Sequence, residues 1–125
     1  MRSVSSRWDG GYRCHVKVRQ FELTVDEPVE EGGDDTGPRP TEMLLTAVAS
    51  CFTVAIAYVA KKHSKRLTDL EVEAFGEYEG HRFSRISVVA SSGIPSEDLQ
   101  WLADRASLLC YVSNSLGCDF EYSVT

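Results

Sequence analysis

The amino-acid sequence predicts an α+β fold with the order strands, helix, strands, helix, final strand. Apolar and polar side chains alternate in the N-terminal, middle and C-terminal segments, which is typical of β-strands with one buried face. An uncharged run and a later apolar stripe at helical spacing mark two helices. The chain has 125 residues, 42% of them hydrophobic, so we expect a single domain over residues 1–125.

The first strands are predicted from the segment YRCHVKVRQFELTV, residues 12–25. One side of the first strand would carry Tyr12, Cys14, Val16 and Val18, and the other Arg13, His15, Lys17 and Arg19. The alternation changes parity at Phe21, so we expect a turn or bulge near Arg19 and Gln20. The next segment, VDEPVEEGGDDTGPRP, holds three prolines, three glycines and six carboxylates, which predicts a long loop.

A central helix is predicted from residues 43–60, a run of 18 positions without a charge. Thr41, which follows Pro40, is the expected N-cap. The run reaches the lower limit for a membrane span. The polar residues within it favour a core helix of a globular protein instead; they are Thr46, Ser50, Cys51 and Thr53.

Alternation on both sides of the sequence EGH at residues 79–81 predicts a β-hairpin. A second helix is expected from Ser96, which would cap it, with Glu97 and Asp98 in its first turn. Its buried stripe would consist of Leu99, Leu102, Ala103, Ala106, Leu109 and Cys110. The last strand is predicted from the alternating residues Cys118, Phe120, Tyr122 and Val124.

Composition excludes several classes of function. A net charge of −6 and a pI near 5.0 argue against a nucleic-acid partner, because phosphate binding requires a basic surface. Four scattered cysteines without a C-x-x-C pair, and no signal-peptide pattern, favour a cytoplasmic protein without a zinc site. On the residue pattern alone, Cys51 and Cys110 could equally be small core residues.

Two segments resemble the OsmC/Ohr family of hydroperoxide reductases. The stretch DEPVEEGGDDTGPRPTEMLLTAVASCFTVAIAYVAKK, residues 26–62, has the family's glycine-bearing loop, P-x-E helix start and cysteine in a helix of small residues. The stretch ADRASLLCYVSNSL, residues 103–116, resembles the helix with the second cysteine. The resemblance also includes RWDGGYR at residues 7–13 and extends over nearly the whole chain in the same order.

The resemblance implies an OsmC-like fold, an intertwined homodimer, and a thiol peroxidase without metal, flavin or other cofactor. Cys51 would be the peroxidatic cysteine and Cys110 the resolving one, with an organic hydroperoxide as substrate and a dithiol reductant, small or protein-bound, such as a lipoyl group. The alternative is a non-catalytic OsmC-like module that binds a small hydrophobic ligand at the dimer interface. Neither reading requires a membrane or nucleic acid.

An arginine is needed beside Cys51, because apolar surroundings would raise the pKa of its thiol. The family supplies an arginine that a glutamate orients, and these roles are carried onto Glu42 and onto Arg13 and Arg19, which alternation places on one strand face. Glu42 stands one place later than the glutamate of the best-described members. On one helix Glu42 and Cys51 would be about 13 Å and half a turn apart, so the carboxylate would come from the partner subunit.

Overall fold

The computed structural model describes all 125 residues, which group into two compact units, Met1–Leu44 and Leu45–Thr125. The elements in chain order are β1 (Ser5–Trp8), β2 (Cys14–Val18), β3 (Phe21–Val25), a 3-10 turn (Val29–Glu31), α1 (Pro40–Lys62), β4 (Glu71–Glu79), β5 (Arg82–Ser91), α2 (Ser96–Leu109), α3 (Tyr111–Asn114) and β6 (Asp119–Val124). This order confirms the predicted α+β class. The sequence patterns did not indicate β1, the 3-10 turn or α3.

The N-terminal unit contains an antiparallel sheet with the strand order β1-β2-β3. The predicted turn at Arg19 and Gln20 is confirmed, and Arg19 has a left-handed backbone with φ 53°. Arg19 therefore lies in the turn, and the prediction that it occupies a face of β2 is wrong. Its guanidinium carbon lies 5.2 Å from the centroid of the Phe21 ring.

The long acidic loop is organised around Asp26, whose residue surface is only 1% exposed. Its carboxylate accepts hydrogen bonds from the Thr36 hydroxyl at 2.6 Å and from the backbone N–H groups of Glu27, Asp34 and Thr36. The Thr36 hydroxyl is the largest cause that lowers the pKa of Asp26 to about 2. The backbone of Gly33 lies very close to that of Glu27. A Cβ atom at Gly33 would be 2.0 Å from the Glu27 carbonyl oxygen.

Helix α1 begins two residues before Glu42, the first helical residue that an N-cap at Thr41 would imply. Pro40 is its first residue, a position where the missing N–H of proline costs nothing. The Glu42 carboxylate accepts a hydrogen bond from the N–H of Arg39 at 3.0 Å, as the third residue of a capping box does. The prediction of Thr41 as N-cap is therefore wrong, because Thr41 lies inside the first turn.

One face of α1 packs into the core of the C-terminal unit, and its buried residues are Val48, Phe52, Ala55, Ile56, Val59 and Ala60. On another side, Val54 and Tyr58 stay 66% and 54% exposed. By length and composition alone, α1 is the one helix that would suffice to cross a membrane. Core helices of soluble proteins pass the same test, and α1 contributes to such a core.

The C-terminal unit has a sheet with the strand order β4-β5-β6. The predicted hairpin is confirmed: β4 and β5 are antiparallel and reverse at Gly80 and His81. Strand β6 runs parallel to β5, and α2 lies between them in the chain. The ring of Phe52 from α1 lies 6.1 Å from that of Phe120 and 5.7 Å from that of Tyr122, so the alternating face of β6 closes the core.

Helix α2 confirms the predicted apolar stripe except at its end. Its N-cap is Pro95, without a side-chain cap bond, so the prediction that Ser96 caps the helix is wrong. The fully buried members of the stripe are Leu99, Leu102, Ala103, Ala106 and Cys110. Leu109 is instead 48% exposed, because α2 ends there and Cys110 has an extended backbone with φ −77° and ψ 101°.

The substitution Asp26→Asn is expected to lower the melting temperature by several degrees at neutral pH, because an amide cannot accept all the hydrogen bonds that the carboxylate accepts. The pKa of Asp26 is lower in the folded chain than the ordinary value of 3.8. Its contribution to stability is therefore present above pH about 4 and lost as pH falls towards about 2. Thermal unfolding across this range measures the effect.

The matched control is Glu30→Gln, which removes one exposed carboxylate from the same loop. It should leave the melting temperature and its acid dependence close to wild type. If Asp26→Asn behaved in the same way as Glu30→Gln, Asp26 would not organise the loop.

Candidate active site

Cys51 lies in the middle of α1, half-buried, at the wall of a cavity of about 610 Å³. The wall residues come from one side of α1 and from the chain around the end of α2; they are Cys51, Val54, Ala55, Tyr58, Leu108, Leu109, Tyr111, Asn114 and Ser115. None of them is charged. The α1 members are three, four and seven residues after Cys51, a spacing that places them on one side of a helix.

Cys110 is fully buried where α2 stops and α3 begins. Cys110 has an extended backbone and is both the C-cap of α2 and the N-cap of α3. The carbonyl oxygen of Cys110 accepts hydrogen bonds from the Asn114 N–H at 3.0 Å and from the Ser113 hydroxyl at 3.3 Å. This arrangement holds the chain at Cys110 in place.

The structure brings the two predicted cysteines together. The Cys110 thiol lies close enough to the Cys51 thiol to raise its pKa, and the backbone N–H groups of Val112 and Tyr111 lie close enough to lower it in part. Both amides belong to the residues that directly follow Cys110. The same change of chain direction that buries Cys110 therefore places two N–H groups near Cys51.

The surroundings of Cys51 favour its protonated form. Burial is the largest cause that raises the pKa of its thiol, and the hydrogen bond with Cys110 adds to the increase. The N–H groups of Val112 and Tyr111 act in the opposite direction but do not reverse it. A reactive thiolate at neutral pH therefore requires a cation that the cavity wall does not contain.

The other three predicted site residues belong to the N-terminal unit. Arg13 precedes β2, and its Nε lies 3.1 Å from the Asp9 carboxylate, which also lies 2.7 Å from His15 Nε2. Arg19 lies in the β2–β3 turn, so the two arginines do not share a strand as predicted. Glu42 caps α1 through the N–H of Arg39.

The remaining cysteines are also free thiols: Cys14 begins β2 and Cys118 directly precedes β6. Sequence reasoning missed the amides of Tyr111 and Val112, because a backbone donor leaves no residue-type signal. It also missed Tyr58 as a wall residue, although Tyr58 follows Cys51 by seven residues, a spacing that places both on one side of a helix.

Comparison with known proteins connects this site to a family. The model of the family described as OsmC-like protein matches residues 32–123, which include both cysteines. An uncharacterized protein of Haloferax volcanii is 26% identical over 121 residues, which cover 94% of this chain and 88% of the relative.

Solved structures with the same fold cover the whole chain. The OsmC like protein from Mycoplasma pneumoniae has a TM-score of 0.86 at 17% identity and is covered over 96% of its length. An organic hydroperoxide resistance protein OsmC from Legionella pneumophila has a TM-score of 0.78 at 22% identity and is covered over 98%. The resemblance predicted from the two cysteine segments is thus confirmed: the chain belongs to the OsmC-like protein family.

Proposed function

We propose that this protein is a cysteine-based peroxidase that reduces organic hydroperoxides. One observation carries the proposal: Cys51 lines an apolar cavity, and the fully buried thiol of Cys110 lies close enough to raise the pKa of the Cys51 thiol. Membership of the OsmC-like family supports a redox role. The similar protein from Legionella pneumophila is described as an organic hydroperoxide resistance protein.

The first step is attack by the Cys51 thiolate on the terminal oxygen of the hydroperoxide. A bond forms between sulfur and that oxygen, the O–O bond breaks, and the leaving alkoxide takes a proton to become an alcohol. The sulfur of Cys110 then attacks the Cys51 sulfenic acid and forms a disulfide; the S–O bond breaks, and the leaving hydroxide takes the proton of the Cys110 thiol to become water. Two thiols are oxidised while one hydroperoxide is reduced, so the electrons balance.

The different burial of the two cysteines supports the proposed roles. Cys51 faces the cavity, so a hydroperoxide in the cavity reaches its sulfur first. Cys110 has no exposed surface, which keeps substrate away from it, but its thiol lies near the Cys51 thiol. The sulfenic acid on Cys51 is therefore formed beside the thiol that removes it, before further oxidation makes the lesion irreversible.

Activation of Cys51 is assigned to a second copy of the chain. The exposed apolar residues at the cavity mouth support a homodimer with its sites at the interface, because Leu108 and Tyr111 are 77% and 86% exposed. Arg13 or Arg19 would supply the cation, and Glu42 of the partner would orient it. Glu42 and Cys51 are nine residues apart on α1 and lie on opposite sides of that helix. This geometry favours a site in which one subunit provides Cys51 and the other provides Glu42.

The substrate class follows from the cavity. Its walls are mostly apolar and uncharged, which favours alkyl or lipid hydroperoxides over hydrogen peroxide. Turnover then requires a dithiol reductant that reopens the disulfide, such as a small dithiol or a protein-bound lipoyl group. The proposed setting is the reducing cytoplasm.

The apolar cavity alone would also suit a non-catalytic module that binds a small hydrophobic ligand. Such a module has no need for two neighbouring thiols. The proximity of Cys51 and Cys110, together with the half-buried position of Cys51 and the full burial of Cys110, favours the peroxidase.

Substitution of the cysteines tests the assignment of roles. Cys51→Ser should reduce hydroperoxide turnover to background, because it removes the attacking sulfur. Cys110→Ser should consume about one equivalent and then stop with a sulfenic acid on Cys51, which a dimedone adduct and mass spectrometry detect. Cys14→Ser and Cys118→Ser are matched controls and should turn over at the wild-type rate. Wild-type turnover by Cys51→Ser would contradict the assignment.

Subunit mixing tests whether each site is built from two chains. Cys51→Ser and Glu42→Ala proteins, each with little activity, are combined and allowed to exchange subunits. In a mixed dimer one site carries both lesions and the other carries neither, so activity should return to about one working site per dimer. If mass spectrometry confirms mixed dimers and no activity returns, Glu42 and Cys51 do not act across the interface.

A further inference from the structure

Lys62, the last residue of α1, lies on the same side of that helix as Cys51 and Tyr58. The three residues are spaced by seven and four positions. At about 100° per residue, Tyr58 and Lys62 each deviate by only about 20° from the direction of Cys51. Along the helix axis, Tyr58 is about 10 Å and Lys62 about 16 Å from Cys51.

The cavity follows this side of α1 from Cys51 to Tyr58, and Lys62 is one helical turn farther on. No wall residue of the cavity carries a charge. The chain beyond its Tyr58 end is strongly basic: residues 61–66 read KKHSKR, four of the thirteen lysines and arginines of a chain with a net charge of −6. An uncharged apolar cavity is thus followed by a cation in line with the reactive sulfur.

The ammonium group of Lys62 is available to a ligand. The residue is exposed and forms no ion pair or hydrogen bond through its side chain. Lys65, by contrast, holds its ammonium 4.6 Å from the centroid of the Trp101 ring. Lys61 is about 80° away from the direction of Cys51 on the helix, so its side chain leaves α1 on a different side.

We propose that Lys62 is a specificity-determining residue that binds the anionic head group of a single-chain amphiphilic substrate. The apolar chain of this substrate lies along the cavity wall, and its hydroperoxide group reaches Cys51. The inference rests on the proposed peroxidase function and narrows its substrate class to hydroperoxides with an anion at the far end.

Helix geometry also sets the length of the preferred substrate. Side chains of a helix lean towards its N-terminus, so the Lys62 ammonium reaches back towards the cavity and shortens the 16 Å axial distance by several ångströms. An extended chain advances about 1.2 Å per bond, as an extended polypeptide does. Roughly nine to thirteen bonds should therefore separate the anionic group from the hydroperoxide.

The kinetic test compares dodecanoic acid carrying a terminal hydroperoxide with its methyl ester, which has the same chain but no charge. Wild-type protein should prefer the acid about threefold to fivefold in kcat/KM, as an exposed ion pair allows, and through KM rather than kcat. The preference should decrease with ionic strength and should be smaller for the hexanoic acid analogue, whose chain is too short. Lys62→Gln should abolish the preference, and Lys61→Gln should retain it.

Binding of unreactive probes separates this inference from the proposed function. Calorimetry with dodecanoate and with dodecyl phosphate measures the head-group contact without any redox step, and the ratio of the two affinities distinguishes a carboxylate from a phosphate ligand. Lys62→Gln should weaken binding of the preferred probe about threefold or more. If the protein consumes no hydroperoxide but Lys62→Gln still weakens probe binding, only the peroxidase proposal fails. Equal probe affinity and equal acid preference in wild type and Lys62→Gln would overturn the role of Lys62.

Discussion

The candidate site depends on the proximity of the Cys51 and Cys110 thiols. Two features of the C-terminal unit produce it: α1 packs one face into the core, and α2 ends immediately before Cys110. Since Cys110 has an extended backbone, the chain changes direction there, and its next two N–H groups lie close enough to the Cys51 thiol to lower its pKa in part. A continuous helix through Cys110 would have kept those two amides within its own hydrogen bonds.

The same packing that brings the thiols together makes Cys51 a poor nucleophile in the isolated site. Burial raises the pKa of its thiol, and the uncharged cavity offers no compensating cation. The proposed homodimer would account for both features, because a second copy of the chain would cover the exposed apolar side chains at the cavity mouth and supply a cation. Arg13 and Arg19, which are proposed to supply that cation, belong to the N-terminal unit, and the acidic loop of this unit is held by the Asp26 carboxylate.

Much of the fold could be predicted from sequence, because a helix or strand with one buried face has apolar residues at a regular spacing. The parity change at Phe21 predicted the β2–β3 turn, and the stripe from Leu99 to Cys110 predicted α2. Features that depend on the backbone conformation of a single residue leave no such spacing. The left-handed conformation of Arg19 removed it from the strand, and the end of α2 exposed Leu109 despite its place in the stripe.

The site could be predicted in part for the same reason. Both cysteines were predicted from the resemblance of their segments to the family, and the family model covers both positions. Their proximity is not encoded in either segment, since it depends on how the chain folds between them. The backbone N–H groups of Tyr111 and Val112 leave no residue-type signal, so the sequence could not predict their place near Cys51.

The central claim is that Cys51 and Cys110 act as one two-electron redox pair, and a thiol titration tests it most directly. Reduced protein has four free thiols per chain. After about one equivalent of an organic hydroperoxide, two thiols should be lost, one alcohol should be formed, and peptide mapping should find a disulfide between Cys51 and Cys110. An unchanged thiol count, or a disulfide that involves Cys14 or Cys118 instead, would contradict the account.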